Sequence, residues 1–292
     1  TGGISQRLIT LFSQQKIKKI AVCCGQGNNA GDGYLVAKYL KQAGFQVDIY
    51  AAELGNSKEL ASAGQEAQQA GLQPYSHFDF QSEYEVYIDA LFGIGLNRQL
   101  NSDWQNVIQT INQQTGLKIS IDIPSGLDAN TGQPLPVAIK ADYTFTGLGL
   151  KAGLFTGQGK EYAGKIELIS AIPTDTELQP IAKLASHQIQ LPKRQAFGHK
   201  GSYGHVLVIG GHADMGGAVI MAAEAAFAAG AGKVTIVCDA KHHTAILSRA
   251  PNIMLRDINV LTQEQRQALI QQVDAVCFGM GSVSYTHLTL PT

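Results

Sequence analysis

Asp122 is the residue in this sequence best suited to acid–base chemistry. It sits at the end of an apolar, strand-like run and is followed closely by Pro124 and Gly126, so the backbone is stiff and the carboxylate faces the rim where strands end. Partial withdrawal from water at such a rim would lift its pKa toward a useful acid–base range. Lys151, in Gly147-Leu-Gly-Leu-Lys-Ala-Gly-Leu154, follows the next strand. Among glycines it reads either as a solvated loop charge or as a proton-transfer and phosphate-contacting partner. Asn29, Asp89 and Ser125 offer hard oxygens from three adjacent strand ends, a donor set suited to a simple cation such as potassium rather than to zinc or copper. Taken alone, Asp89 could merely cap the turn after its strand, and Asp128 reads as a turn residue.

The other chemistry-bearing stretch is Val22-Cys-Cys-Gly-Gln-Gly-Asn-Asn-Ala-Gly-Asp-Gly-Tyr34, an apolar strand running into a glycine-rich loop. Gly25, Gly27, Gly31 and Gly33 permit positive φ and close backbone approach, and the helix that follows presents N-terminal amides to an anion. A phosphate-bearing small molecule is the first ligand this suggests. A rival is a dinucleotide fingerprint, since Gly25-x-Gly27-x-x-Ala30 follows a strand and Asp48 lies about 20 residues on. Asp48 reads as mid-strand, however, and Asn28, Asn29 and Asp32 are surplus to a pyrophosphate turn. A tight turn with capping Asn and Asp is the third reading.

These residues need strands to hold them. Lys19 to Cys24, Phe45 to Ala52, Glu85 to Leu91, Lys118 to Ile123, Asp142 to Gly147 and Lys165 to Ile172 read as strands, with helices over 32–43, 56–70 and 102–114. Alternation of this kind predicts an α/β fold, a doubly wound, mostly parallel Rossmann-like sheet, with ligands bound outside the carboxyl ends of the strands. Between Pro173 and Gly201 the pattern breaks into prolines and polar residues, and His205-Val-Leu-Val-Ile-Gly-Gly211 then opens a second strand–loop–helix unit. Helices follow over 217–229, around 240–248 and over 262–272, with strands over 233–238 and 275–278.

With 292 residues, 45% apolar and 15% charged, the chain has the composition of a globular protein of one large or two ordinary domains. A net charge of −1 and the lack of any Lys/Arg-rich run argue against nucleic acid as a partner. The longest apolar stretch, Gly216 to Gly230, is interrupted by Glu224 and too short to span a bilayer, and no secretory segment opens the chain; the expectation is a cytoplasmic protein with no membrane partner. Cys23, Cys24, Cys238 and Cys277 read as four buried, reduced thiols, and the eight histidines show no metal-ligand spacing. The chain starts with Thr and enters at once a helical stripe (Ile4, Leu8, Ile9, Phe12), so residues upstream are expected. Residues 283–292 read as a vector or read-through tail.

Taken together, Gly25-Gln-Gly-Asn-Asn-Ala-Gly-Asp-Gly33, Asp89-Ala-Leu-Phe-Gly-Ile-Gly95 and Asp122-Ile-Pro-Ser-Gly126 resemble the three signature loops of the NAD(P)H-hydrate epimerase family. The run His199 to Gly211, with Met215-Gly-Gly-Ala218 and Ala229-Gly-Ala-Gly-Lys-Val234, is similar to the start of the ADP-dependent NAD(P)H-hydrate dehydratase family. The resemblance covers nearly all of residues 1–282. It implies an epimerase domain over 1–175, a linker over 176–200 and, over 201–282, the first part of a ribokinase-like dehydratase domain. The implied reaction interconverts the R and S forms of NADHX and NADPHX, with Asp122 as the acid–base residue at nicotinamide C6 and Lys151 assisting. Substrate contacts would come from Asn28, Asn29, Ala30, Gly31 and Asp32, from Gly93, Ile94, Gly95, Leu96, Asn97, Arg98 and Gln99, and from Asp122, with Ala218 as a contact of the second domain. Asn29, Asp89 and Ser125 would surround potassium.

Two departures from the family pattern, Ala30 for glycine and Ala152 for proline, remove no functional group. The resemblance further implies that the dehydratase half is cut short and inactive in this chain, that magnesium-dependent ADP serves only the full-length dehydratase, and that the protein is a homo-oligomer acting on the small molecule NAD(P)HX. Two alternatives accompany this reading. A non-catalytic dinucleotide- or protein-binding module of the same fold would be expected to lose Asp122 or the Asn28-Asn29 pair, and both are kept. An NAD-dependent oxidoreductase would transfer hydride to a plain alcohol or carbonyl substrate.

Overall fold

The structure, a computed structural model, describes residues 2–51, 57–169, 179–185, 193–194 and 196–281. The chain divides into two compact units, Thr1–Lys183 and Leu184–Thr292. Much of the expected 176–200 linker and all of the 283–292 tail lie outside the described residues.

In the first unit the elements run α1 (Gly2–Gln15), β1 (Lys19–Cys24), α2 (Asn28–Gln42), β2 (Gln46–Ala51), α3 (Lys58–Gln69), β3 (Pro74–Tyr75), β4 (Val86–Ala90), α4 (Ser102–Gln113), β5 (Leu117–Ile121), β6 (Tyr143–Gly147), α5 (Gly159–Ala163) and β7 (Lys165–Ile169). The strands form one parallel sheet ordered β3-β2-β1-β4-β5-β6-β7. Strand order reverses between β1 and β4, the position at which doubly wound sheets open a crevice for ligands.

Both faces of this sheet are covered, which is why its central strands read as continuous apolar runs. Ile20, Val22, Ile49, Ile88 and Ile121 pack on one face against Leu8 and Phe12 of α1, Val36 and Leu40 of α2 and Leu60 of α3. Ala21, Cys23, Tyr50 and Tyr87 face the other way, toward Ile108 and Ile111 of α4. The Ile4, Leu8, Leu11, Phe12 spacing puts one stripe of α1 in the core, each such side chain contributing about 1.5–3 kcal/mol of burial.

Two sequence expectations are corrected. The second helix begins at Asn28 rather than at residue 32, so the asparagines lie in its first turn and the preceding loop shrinks to Gly25–Gly27. None of Gly25, Gly27, Gly31 and Gly33 has positive φ. The two-residue strand β3 and the short helix α5 carry too little periodicity to have been read from sequence. Residues 170–172 of the strand expected over 165–172 lie outside the described residues.

The second unit runs β8 (His205–Gly210), α6 (Gly217–Ala228), β9 (Lys233–Cys238), α7 (His243–Arg249), β10 (Met254–Asp257), α8 (Gln263–Gln271) and β11 (Ala275–Met280), with a parallel sheet ordered β10-β9-β8-β11. A 3-10 turn over Ala240–His242 precedes α7, which divides the helix expected around 240–248, and β10 was not expected. Val208, Val219, Ala223, Val234 and Ile236 form its core. Among the described residues no helix is long and apolar enough to cross a membrane. All four cysteines are free, and Cys277 is half-buried where full burial was expected.

Candidate active site

The exits of β1, β4, β5 and β6 meet beside the strand-order reversal, and the first two are packed backbone to backbone. Gly25 donates its N–H to Ala90 O at 3.1 Å, and a Cβ at Gly25 would lie 1.9 Å from Leu91 O, so no larger residue fits where the two strand exits cross. At Gly33 a Cβ would stand 2.6 Å from Ala90 Cβ, so α2 lies tight on the sheet. Gly27 opens α2 with no side-chain cap, whereas Ser57 caps α3 and Asn101 caps α4. The first turn of α2 carries Asn29 into the protein, where its Nδ2 donates to Phe92 O (3.0 Å) and Ile121 O (3.2 Å), joining α2 to the exits of β4 and β5.

Asp89, 1% exposed, is the hub of these exits. Its carboxylate accepts from Ser120 Oγ (2.7 Å), the Ser125 N–H (2.8 Å), Ser125 Oγ (2.5 Å) and the Leu91 N–H (3.2 Å). Burial pushes its pKa up, while the bonds from Ser125, Ser120 and Leu91 pull the other way. The turn-capping role is present in the Leu91 bond, but it is one contact of four. Ser125 Oγ also accepts from the Phe92 N–H at 2.8 Å.

The carbonyls of Phe92 and Ile121 therefore meet at the Asn29 amide, and Ser125, which bonds both Phe92 and Asp89, ties the Asp89 carboxylate to them. Turning that amide over would bring a further oxygen among the carbonyls. Such a set, with one carboxylate and otherwise neutral oxygens, fits an alkali cation. Among the described residues no three His, Cys, Asp or Glu side chains gather where they could hold a metal ion.

Asp122 lies on the same rim in a left-handed backbone conformation, φ 71°, its N–H bonded to Phe145 O at 2.8 Å. Its Oδ1 meets Lys151 Nζ at 2.5 Å and accepts from Thr146 Oγ1 at 3.3 Å. The two charged side chains are 23% and 14% exposed, so Lys151 is no solvated loop charge. Its ammonium also donates to Thr146 Oγ1 (2.8 Å) and Gly147 O (2.7 Å). Leu148, between Gly147 and the Gly149 N–H that bonds Gly147 O, likewise has positive φ, 61°. Of the three described non-glycine residues with positive φ, one is thus a member of this ion pair and another, Leu148, lies three residues before Lys151, and stored backbone strain of that kind concentrates at functional sites.

Gly93 brings the pieces together. A Cβ there would lie 3.3 Å from Asn29 Cβ and 3.7 Å from Asp122 Oδ2, so this glycine keeps a gap open between the amide and the carboxylate. Ile94, Gly95, Asn97, Arg98 and Gln99 continue from it as exposed loop, while Leu96 leans onto the core. Asn28 is exposed, its Oδ1 accepting from Ser57 Oγ at 3.1 Å, and Asp32 is half-buried. Ala30 and Gly31 are buried, with Gly31 turned toward Leu60 and Ala63 of α3. Ala218 belongs to the second unit, half-buried in the first turn of α6. Asp48 is mid-strand and accepts from Tyr84 OH at 2.8 Å, which takes it out of a ribose-binding role. Asp128 is a turn residue, accepting from the Asn130 and Thr131 N–H groups, which hold its pKa down.

Sequence reasoning missed Ser120 and Thr146. Ser120, between the buried Ile119 and Ile121, carries an interruption that could have flagged it, whereas Thr146 shares β6 with Thr144 and has no such signal. It also missed the carbonyls of Phe92 and Ile121, which carry no side-chain signature.

The profile of the YjeF-related protein N-terminus family matches residues 2–153, the stretch that contains every element of this rim. The chain belongs to that family. A second profile, NAD(P)H-hydrate dehydratase, matches residues 206–284. Among curated relatives, the bifunctional NAD(P)H-hydrate repair enzyme of Coxiella burnetii is 34% identical over 90% of this chain and 56% of its own length. Those of Vibrio cholerae (35% identical, 86% of this chain, 52% of that protein) and Escherichia coli (32%, 89% and 52%) are similar to it to the same degree. The chain spans about half the length of the curated relatives it matches.

Proposed function

We propose that the first unit is an NAD(P)H-hydrate epimerase that interconverts the R and S forms of NADHX and NADPHX. The observation that carries this is the Asp122–Lys151 pair, held at the rim beside Gly93 and Asn29 in a chain of the YjeF-related family. The relatives' names supply the substrate class.

The hydrated nicotinamide ring has a hydroxyl on C6, next to the ring nitrogen. An acid at C6 would give its proton to that hydroxyl, which leaves as water while the nitrogen lone pair forms an iminium. Water re-adding to the opposite face, with its proton returned to the same carboxylate, completes the epimerisation. Asp122 fits this role because it is partly exposed at the rim. The uncapped first turn of α2, with Asn28 and Asp32, and the exposed Gly93–Gln99 loop are the proposed contacts for the rest of the dinucleotide. Asn29, Asp89 and Ser125, with the Phe92 and Ile121 carbonyls, would hold potassium, whose charge would offset the buried carboxylate.

For the second unit we propose the corresponding part of an ADP-dependent dehydratase, with Ala218 as its substrate-side contact and magnesium-dependent ADP as that activity's co-substrate; the profile match supports this. The dehydrogenase reading loses its main support with Asp48 engaged by Tyr84.

The test follows racemic NADHX by chromatography with excess independent dehydratase, ADP and potassium. Loss of the R form faster than the no-protein rate supports the epimerase, and loss at the blank rate removes it in favour of a binding module.

A further inference from the structure

We propose that Thr146 is a positioning residue for the Asp122 carboxylate, dedicating Oδ1 to Lys151 and itself so that Oδ2 alone works on the substrate; this rests on the epimerase reading above. An ammonium has three N–H donors and no acceptor. Lys151 directs its three toward Asp122 Oδ1 (2.5 Å), Thr146 Oγ1 (2.8 Å) and Gly147 O (2.7 Å), which leaves none for a substrate oxygen or phosphate. Thr146, fully buried near the end of β6, receives one of those protons, and its own hydroxyl proton has the same Oδ1 as its nearer acceptor at 3.3 Å, with Gly149 O at 3.5 Å. Among the described residues, both side-chain donors to Asp122 fall on Oδ1. Oδ2 lies on the Gly93 side, 3.7 Å from where a Cβ at that glycine would stand.

The bridge also fixes a carboxylate whose backbone is in a left-handed conformation. A base must sit within hydrogen-bond reach of the atom it serves, and a carboxylate free to rotate would present the wrong oxygen part of the time. Thr144 provides an internal comparison. It is two residues earlier on the same strand and equally buried, but its hydroxyl donates to Ala163 O at 2.7 Å, away from the ion pair.

The experiment measures kcat and KM for R-NADHX, together with the melting temperature, for the wild type, Thr146→Val, Thr146→Ser, Thr144→Val, Lys151→Met and Asp122→Asn. Thr146→Val keeps the branched shape and removes the hydroxyl. Its kcat is expected to fall at least about tenfold while KM stays within about twofold, and Thr146→Ser should restore most of the loss. Thr144→Val should lower the melting temperature and leave kcat alone.

Wild-type kcat in Thr146→Val, or equal losses in the Val and Ser variants, overturns the proposal, the second because packing of the methyl group would then explain the effect. Lys151→Met removes the other donor to Oδ1 from a different element. Should Thr146→Val not fold, a wild-type kcat in Lys151→Met overturns the proposal, and a lowered one with an active Thr146→Ser supports it. Turnover by the wild type but not by Asp122→Asn keeps the epimerase reading even where Thr146 proves dispensable. A wild type no faster than the blank removes both.

Discussion

Each unit has a first strand, β1 or β8, that is apolar and runs into a glycine-bearing loop and a helix within a parallel sheet, but the two units surround that loop differently. Around the first, Asn29, Asp89, Ser120, Ser125 and Thr146 are all buried; in the second unit Thr235 is the one buried polar side chain among the described residues. Thr235 bonds His205 at 2.7 Å. The strand-end acids of the second unit behave as turn caps. Asp239 is half-buried and accepts from the Lys241 N–H and from Asn259 Nδ2, and Asp257 accepts from the Asn259 N–H. Hydrogen bonding holds the Asp239 pKa down, while burial pushes that of Asp89 up. A glycine loop by itself, then, makes a turn. Neighbouring strands must supply buried polar groups before the turn becomes a site, because only there are charges withdrawn from water and held in one geometry.

The sharpest way to break this contrast is to remove one acid from each unit. Asp122→Asn should lower epimerisation by about 10²–10⁴-fold, the range for losing a general acid–base group, whereas Asp239→Asn should leave it unchanged; equal effects in the R-NADHX assay would erase the distinction. Next in size is backbone packing. Gly25→Ala places a Cβ against Leu91 O and should cost about 3 kcal/mol in urea unfolding, while Gly217→Ala, with nothing within 4 Å, should cost well under 1 kcal/mol.

Potassium sharpens the comparison without any assay of activity. At matched ionic strength, potassium chloride should raise the melting temperature of the first unit more than lithium chloride does, and Ser125→Ala should abolish the difference. An identical response in both salts would count against the cation site.

Two bidentate Arg–Glu pairs give the smallest contrast. Arg7 meets Glu167 in the first unit and Arg249 meets Glu224 in the second, where the pair is more exposed. The Arg7 hydrogen bond holds the Glu167 pKa below its ordinary value, so the pair's contribution is present above the unfolded carboxylate pKa and is lost as pH falls through the folded one. Glu167→Gln should therefore cost about 0.5–1 kcal/mol at neutral pH and nothing in strong acid. Glu224→Gln should show a smaller change across the same titration.

Much of the first unit is legible along the chain. The apolar runs of β1, β4 and β5 are long enough to declare buried parallel strands, and Pro124 and Gly126 mark Asp122 as a strand-end residue on a stiff turn. The start of α2 was not legible, because Asn28 to Gly33 carries the composition of a loop. What makes it helical is the tight seating of Gly33 on Ala90 and of Gly31 against α3, contacts with residues far along the chain.

Local composition and periodicity were enough to show the main alternation of strands and helices, the two-faced burial of the sheet and most of the residue types able to do chemistry. Only the tertiary structure decided which of them act together. Parallel pairing sets Asp89 beside Ser120 and Ser120 beside Thr144, on strands separated in sequence by α4 in the first case and by a long loop in the second. A slip of one residue would turn each of those side chains to the other face of the sheet. The hub at Asp89 and the division of the Asp122 oxygens are therefore consequences of strand register, which depends on packing across the whole unit.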